Sequence, residues 1–418
     1  RPPMAQTDSN VSTGKKIAYS LILLVFLWGV VELICLGALW YLKKYKNLEY
    51  QPQDVEDLND KHKGILAAQI ADTSSYMVFD ADLGWTIRPN GRKAAFVANS
   101  KGLRATREYA ATAAPGIVRI GAFGDSFTHG SGVPTGFTWE ERLETMLPGL
   151  ELINFGIPGS DPGQALLRYR REGIQYHNDI VLIGMMSENI GRMVNTFRPF
   201  YFSRSGIPFS KPRFGVEHGK LVLYPNPIRS IDEYKQLLSD PQKMLPRLGE
   251  HDFYYQRNNQ RSPCDFLPSV RFAHLMRTLY FNQPIFRHGL YNPRSEAYEV
   301  SFRVLDEFYR EALDHGSLPI IVLFPERKDV KERFRHESVT YQPLLDDLRH
   351  RGYRVIDLAD GFAKYDPEAQ MAKKNFLHYP KIGNEMSAEW IRDVLVQQGL
   401  INPGAVKAAL KATKAPAL

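Results

Sequence analysis

The sequence predicts a parallel, three-layer α/β domain carried behind a single apolar helix. Three observations predict it. Apolar runs at 117–123, 151–155, 179–184, 318–324 and 353–358 read as five strands, the first and third as fully buried ones. Segments of helical spacing lie between or after them, at 138–147, 163–176, 295–315 and 382–398, and strands that alternate with helices build parallel sheets. Ahead of all of them, Ile17–Leu42 is nearly all apolar.

Composition narrows the class. The chain has 418 residues, enough for one large domain or two ordinary ones, and a formal net charge of +7. The basic excess is spread without a Lys/Arg block, so no nucleic-acid footprint is read from it. The two cysteines, Cys35 and Cys264, lie in different kinds of segment and imply neither a disulfide framework nor a Cys-based metal site.

Residues 1–16 are a polar tail, and 17–42 are read as a transmembrane helix that makes the lipid bilayer the first partner. At roughly 1.5 Å per residue the run crosses a bilayer with allowance for tilt. Lys15-Lys16 and Lys43-Lys44 bracket it, and Tyr19, Trp40 and Tyr41 lie toward its ends, where aromatic rings favour the interface. It lacks the short apolar core and cleavage site of a signal peptide. Balanced lysines leave orientation to a second argument: a short tail before one large domain places that domain on the extracytoplasmic, periplasmic side. Glu32 sits past the middle of the span, where ionisable groups are costly. It either snorkels or stays protonated, or it docks to another membrane protein.

Residues 43–75 read as a linker and short helix, 76–400 as the α/β domain, and 401–418 as a frayed or disordered tail. Within the domain, 192–294 is too long for one connection and reads as an inserted subdomain. Phe214–Tyr224 around His218-Gly219 has the pattern of a hairpin. The many Tyr and Phe of the insertion are read as its own small core, in preference to a carbohydrate- or partner-binding surface.

The chemistry gathers at strand ends. Gly124-Asp-Ser126 closes the first strand, and open α/β sheets bind ligands at that carboxyl edge. A serine nucleophile needs a base and oxyanion donors. The N–H groups of Ser126 and Gly156 and the side-chain amide of Asn189 follow the first, second and third strands, and they read as the oxyanion hole. His378, in the loop between the fifth strand and the last helix, reads as the base. His129 reads as loop packing and Asp125 as an organiser of the turn. No P-loop, Rossmann fingerprint or metal-ligand cluster is seen, and serine acyl chemistry needs no cofactor.

In order and placement, Gly124-Asp-Ser126, Gly156, Asn189 and His378 resemble the SGNH/GDSL hydrolase family over roughly 76–398. Leu83-Gly-Trp85, Arg88-Pro-Asn90, Asn99-x-x-Gly-Leu-Arg104, Asn195-Thr-Phe-Arg-Pro199 and Gly383-Asn384 resemble its membrane-anchored bacterial members. The resemblance implies a flavodoxin-like three-layer fold and ester hydrolysis or acyl transfer, associated with O-acetylation or deacetylation of surface polysaccharide. Two departures bear on activity. Asn375 stands where the family carries an aspartate three residues before the histidine, which leaves Asp360 or a backbone carbonyl as a substitute. Ile190 follows Asn189 where a second polar residue is common. The expectation is therefore a serine esterase or O-acyltransferase with an atypical triad of Ser126, His378 and Asn375. Its alternative is a catalytically idle fold serving as a subunit of a membrane complex.

Overall fold

The computed structural model describes residues 12–46, 50, 58–202, 205–258, 262–277, 284–364 and 378–414. By its contacts the chain divides into two compact units. The larger comprises residues 54–256 and 284–418, the smaller 1–53 and 257–283.

The larger unit is built on five parallel strands: β1 (Val118–Phe123), β2 (Leu150–Asn154), β3 (Ile180–Met186), β4 (Leu318–Phe324) and β5 (Val355–Asp357). Their order is β5-β4-β3-β1-β2, every neighbour parallel. Ala122 of β1 stands opposite Asn154 of β2 and Leu182 of β3, so the three strands reach the same edge. β1 and β3 are buried throughout, as a sheet covered on both faces requires. Alternation along β1 sends Val118, Ile120 and Ala122 to one core and Phe123 to the other. The first core is closed by Trp139 and Leu143 and by Ile391 and Leu395 of the last long helix, Lys381–Gln397. Leu166, Val304 and Phe308 close the second. The chain leaves β1 for β2 and then crosses back past it to β3. The strand order therefore reverses between β1 and β3, which fixes where a ligand crevice opens.

The expected hairpin is present at Arg213–Glu217 and Lys220–Tyr224. His218 (φ 49°) and Gly219 (φ 75°) turn it with the two positive φ angles that a type I′ turn demands. The aromatics of the insertion do form core, but a shared one. Phe197, Phe200, Phe209 and Tyr234 pack with Leu66, Trp85 and Ile157 from outside the insertion. Residues 192–294 are thus not one subdomain: 192–256 and 284–294 belong to the larger unit, and 257–283 cluster with 1–53. The expected frayed or disordered tail is corrected as well. Pro403–Lys414 is a helix whose Val406, 2 % exposed, sits in the core on one face of the sheet. Val406, Ala409 and Leu410 have the i, i+3, i+4 spacing that makes this docking possible.

In the smaller unit, the helix Thr13–Lys46 is long and apolar enough to cross a membrane. Glu32 within it accepts hydrogen bonds from the backbone N–H (2.8 Å) and the hydroxyl (2.5 Å) of Ser269. Ser269 is the second residue of the helix Pro268–Met276, where backbone N–H groups lack intrahelical acceptors and the helix dipole favours an anion. The carboxylate, for which docking to another membrane protein was one of two expectations, has a partner within its own chain. Nearby in the same unit, the Tyr50 hydroxyl donates to Asp265 (3.1 Å) and its ring stacks on His274 at 5.5 Å. Glu32→Ala should expose this pairing. In detergent, trypsin should cut at Arg271 several-fold faster in the variant, and an unchanged rate would mean that the contact does not hold the segment.

Candidate active site

Gly124, Asp125 and Ser126 follow β1 directly and begin a tight turn closed by His129 N–H to Asp125 O (2.8 Å) and Ser131 N–H to Ser126 O (2.9 Å). The turn is admitted only because Gly124 has no side chain: a Cβ there would lie 2.2 Å from Thr128 Oγ1. Asn154, at the end of β2, donates to Thr128 O at 2.9 Å and so fastens the turn to the neighbouring strand.

Asp125 is the hub. Its Oδ1 accepts the Phe127 N–H (2.8 Å), and its Oδ2 accepts from the Asn189 amide and from Arg192, both at 3.0 Å. Arg192 also pairs with Glu188 and donates to Ser160 O at 3.1 Å. Asp125, Asn189 and Arg192 are all buried. Burial raises the Glu188 carboxyl, but Arg192 and then Arg198 outweigh it and bring it down to about 2. The reading of Asp125 as a turn organiser is thus too narrow, since it also binds the third strand's end. Glu188 and Arg192 were the missed partners, and their i, i+4 spacing across Ser187-Glu-Asn-Ile-Gly-Arg192 was the available signal.

The structure brings the expected site residues to one edge but assigns their donors unevenly. Asn189 gives one N–H to Asp125 and takes the Met186 N–H on its oxygen (2.9 Å), which leaves its second N–H available. The Ser126 N–H has no acceptor among the described residues. The Gly156 N–H, by contrast, donates to Asn154 Oδ1 at 2.9 Å. Its missing side chain serves packing rather than access, because a Cβ on Gly156 would lie 2.3 Å from His129 N.

His378 and Ser126 line the same cavity of about 760 Å³, with Tyr76, Ser131, Arg198 and Pro325 among the other walls. The His378 ring lies 5.5 Å from that of Phe127, and Tyr379 beside it packs edge-on against Phe127 at 4.8 Å. The Tyr379 hydroxyl donates to Pro325 O (2.6 Å), and Asn384 donates to Tyr379 O (2.9 Å). The loop passes so near the serine turn that a Cβ on Gly132 would lie 2.1 Å from Tyr379 O. Burial lowers the His378 imidazole below its ordinary range, Asp125 opposes this, and Arg192 adds to it. Among the described residues no hydrogen bond joins Ser126 to His378, and such contacts tighten when substrate binds. Asn375 lies outside the described residues. Asp360, offered as its substitute, is engaged by Arg333 (3.2 Å) and Arg349 (3.3 Å).

His129 is structural, as expected, and better held than the sequence suggested. It is fully buried, with Tyr76 Oη on Nε2 (2.7 Å), Ser131 Oγ on Nδ1 (2.8 Å) and Arg104 Nη1 at 3.2 Å from both ring nitrogens.

A serine turn after β1, an amide just after β3 and a histidine ahead of the closing helix lie on a five-stranded parallel sheet of flavodoxin-like order. No family model matches the chain, and no curated protein does. Four solved chains are similar to it, two of them as follows. One is described as a putative lipolytic protein of the G-D-S-L family from Desulfitobacterium hafniense, with 13 % identity and a TM-score of 0.33, covering 66 % of this chain and 99 % of that one. The other is described as a member of the lipolytic protein G-D-S-L family from Veillonella parvula, with 12 % identity and a TM-score of 0.33, covering 67 % and 98 %. Likenesses of this size carry no argument, and the fold is read from sheet order and strand-end residues alone.

The His129 environment generates a pH prediction. Burial, then Arg104, Arg168 and His378, push its imidazole well below 6.5. Above that value both folded and unfolded chains hold it neutral, and stability is complete. As pH falls below 6.5 the unfolded chain takes up a proton that the folded chain refuses, so stability declines. This histidine contributes at most about 1.4 kcal/mol per pH unit to the slope. Thermal melts of His129→Gln in detergent should show a shallower acid slope than the parent, and equal slopes would refute the assignment.

Proposed function

We propose that the chain is a membrane-anchored serine esterase or O-acyltransferase acting on acylated cell-surface carbohydrate. Residues 17–42 anchor it in the bilayer and the larger unit faces the extracytoplasmic, periplasmic side. The observation that carries the enzyme reading is the shared cavity of Ser126 and His378 at the carboxyl edge of the sheet. Ser126 Oγ attacks the acyl carbonyl, and its proton passes to His378, which burial keeps neutral and so able to accept it. The Ser126 N–H and the second Asn189 N–H meet the developing oxyanion. His378 then returns the proton to the departing alkoxide. Water or a sugar hydroxyl attacks the acyl-serine, with His378 removing the attacker's proton, and restores Ser126. Asn375 at best orients His378, since an amide cannot offset the imidazolium charge.

One observation favours a second reading, a catalytically idle SGNH fold kept as a subunit of a membrane complex: the Gly156 N–H, an expected oxyanion donor, is already given to Asn154. That reading loses one of its supports, because Glu32 finds its acceptor role within the chain.

Labelling of the detergent-solubilised full chain with a fluorophosphonate probe separates the two. Under the enzyme reading Ser126→Ala abolishes labelling, and His378→Gln slows it by about 10²–10⁴. The acid limb of the rate should have its midpoint below pH 6.5, because the base stays neutral to lower pH than an ordinary histidine. Folded protein that fails to label over a wide pH range would end the enzyme reading.

A further inference from the structure

The cavity wall beside Ser126 holds a cation with no use so far. Arg198 is 5 % exposed, yet among the described residues its Nε and Nη1 have no hydrogen-bond partner. The Tyr201 ring lies 5.3 Å from its Cζ. The acids of this corner are held elsewhere, Asp125 and Glu188 both by Arg192. Burial, and then the neighbouring Arg192, lower the guanidinium to about 10, so it remains charged at neutral pH. A buried charge without an acceptor is costly, and this one faces the cavity that contains the proposed nucleophile. The remaining ionised walls lean the same way: Lys93, Arg192, Arg327 and Lys328 stand against Glu188 and Glu326.

We propose that Arg198 is the specificity residue of this cavity and that it receives a carboxylate, which makes the substrate an acidic, uronate-bearing carbohydrate. The assignment deepens the carbohydrate reading above and rests on it for the sugar. A guanidinium presents a planar fork of donors that matches a carboxylate in two parallel hydrogen bonds, a geometry that Lys cannot reproduce. The acyl group would then be cleaved or transferred at Ser126 while the uronate is held on Arg198, so charge recognition and chemistry occupy one cavity.

Binding can be read without turnover. Full-length Ser126→Ala in detergent is titrated calorimetrically with glucuronate and with glucose. Glucuronate should bind at least about tenfold more tightly, as loss of a charge-assisted contact implies. Arg198→Gln should remove the preference, and Arg198→Lys should retain part of it. Circular dichroism verifies that each variant is folded. If Arg198→Gln does not fold, Arg198→Lys decides: a reduced preference supports the assignment and an unchanged one overturns it. Equal binding of the two sugars, or no binding of glucuronate, also overturns it. Failure of the enzyme reading would show separately, as an unlabelled wild-type serine with glucuronate binding intact.

Discussion

The site depends on one buried carboxylate. Asp125 joins two pieces of chain that are distant in sequence: its own turn through Phe127, and the short helix after β3 through Asn189 and Arg192. The bonds to Asn189 and Arg192 are each 3.0 Å, between buried groups, where a partnered charge is tolerated and a widowed one is expensive. Ser126 is positioned because its neighbour cannot move. The strand reversal between β1 and β3 supplies the opening, and Asp125 closes its floor.

That economy has a cost for the proposed catalysis. The groups that rigidify the floor are partly those that would stabilise an oxyanion. Asn189, fully buried, gives an amide N–H to Asp125, and Gly156 gives its N–H to Asn154. A hole with two donors in place of three is weaker, since removal of one donor costs on the order of 10²–10³ in rate in a serine protease. The same corner carries Arg198 and Arg192 close enough for the first to be lowered by the second.

Much of this was legible in the sequence because it depends on local signals. The five strands, the hairpin at His218-Gly219 and the long helices all follow from apolar runs, turn residues and helical spacing, and their bounds are shifted by only a few residues. Ser126, Asn189 and His378 were found as strand-end residues, and the structure places them at one edge. What escaped was set by tertiary pairing. Nothing local tells that Gly156 is bare for the sake of His129 N, or that Asp360 is taken by Arg333 and Arg349. The insertion misled for the same reason: its aromatics pack on Trp85 and Leu66, more than a hundred residues upstream. Val406 was read as tail because three apolar residues in an Ala/Lys background look weak until the core that receives them is known.

The pairing of Glu32 with Ser269 imposes an order in time. The two residues are 237 apart in sequence. At about 5–20 residues per second of synthesis, the carboxylate is made on the order of 12–50 s before its donor partner exists. Through that interval the carboxyl stands on an apolar helix without Ser269. A chain truncated anywhere before Ser269 would never complete the pairing.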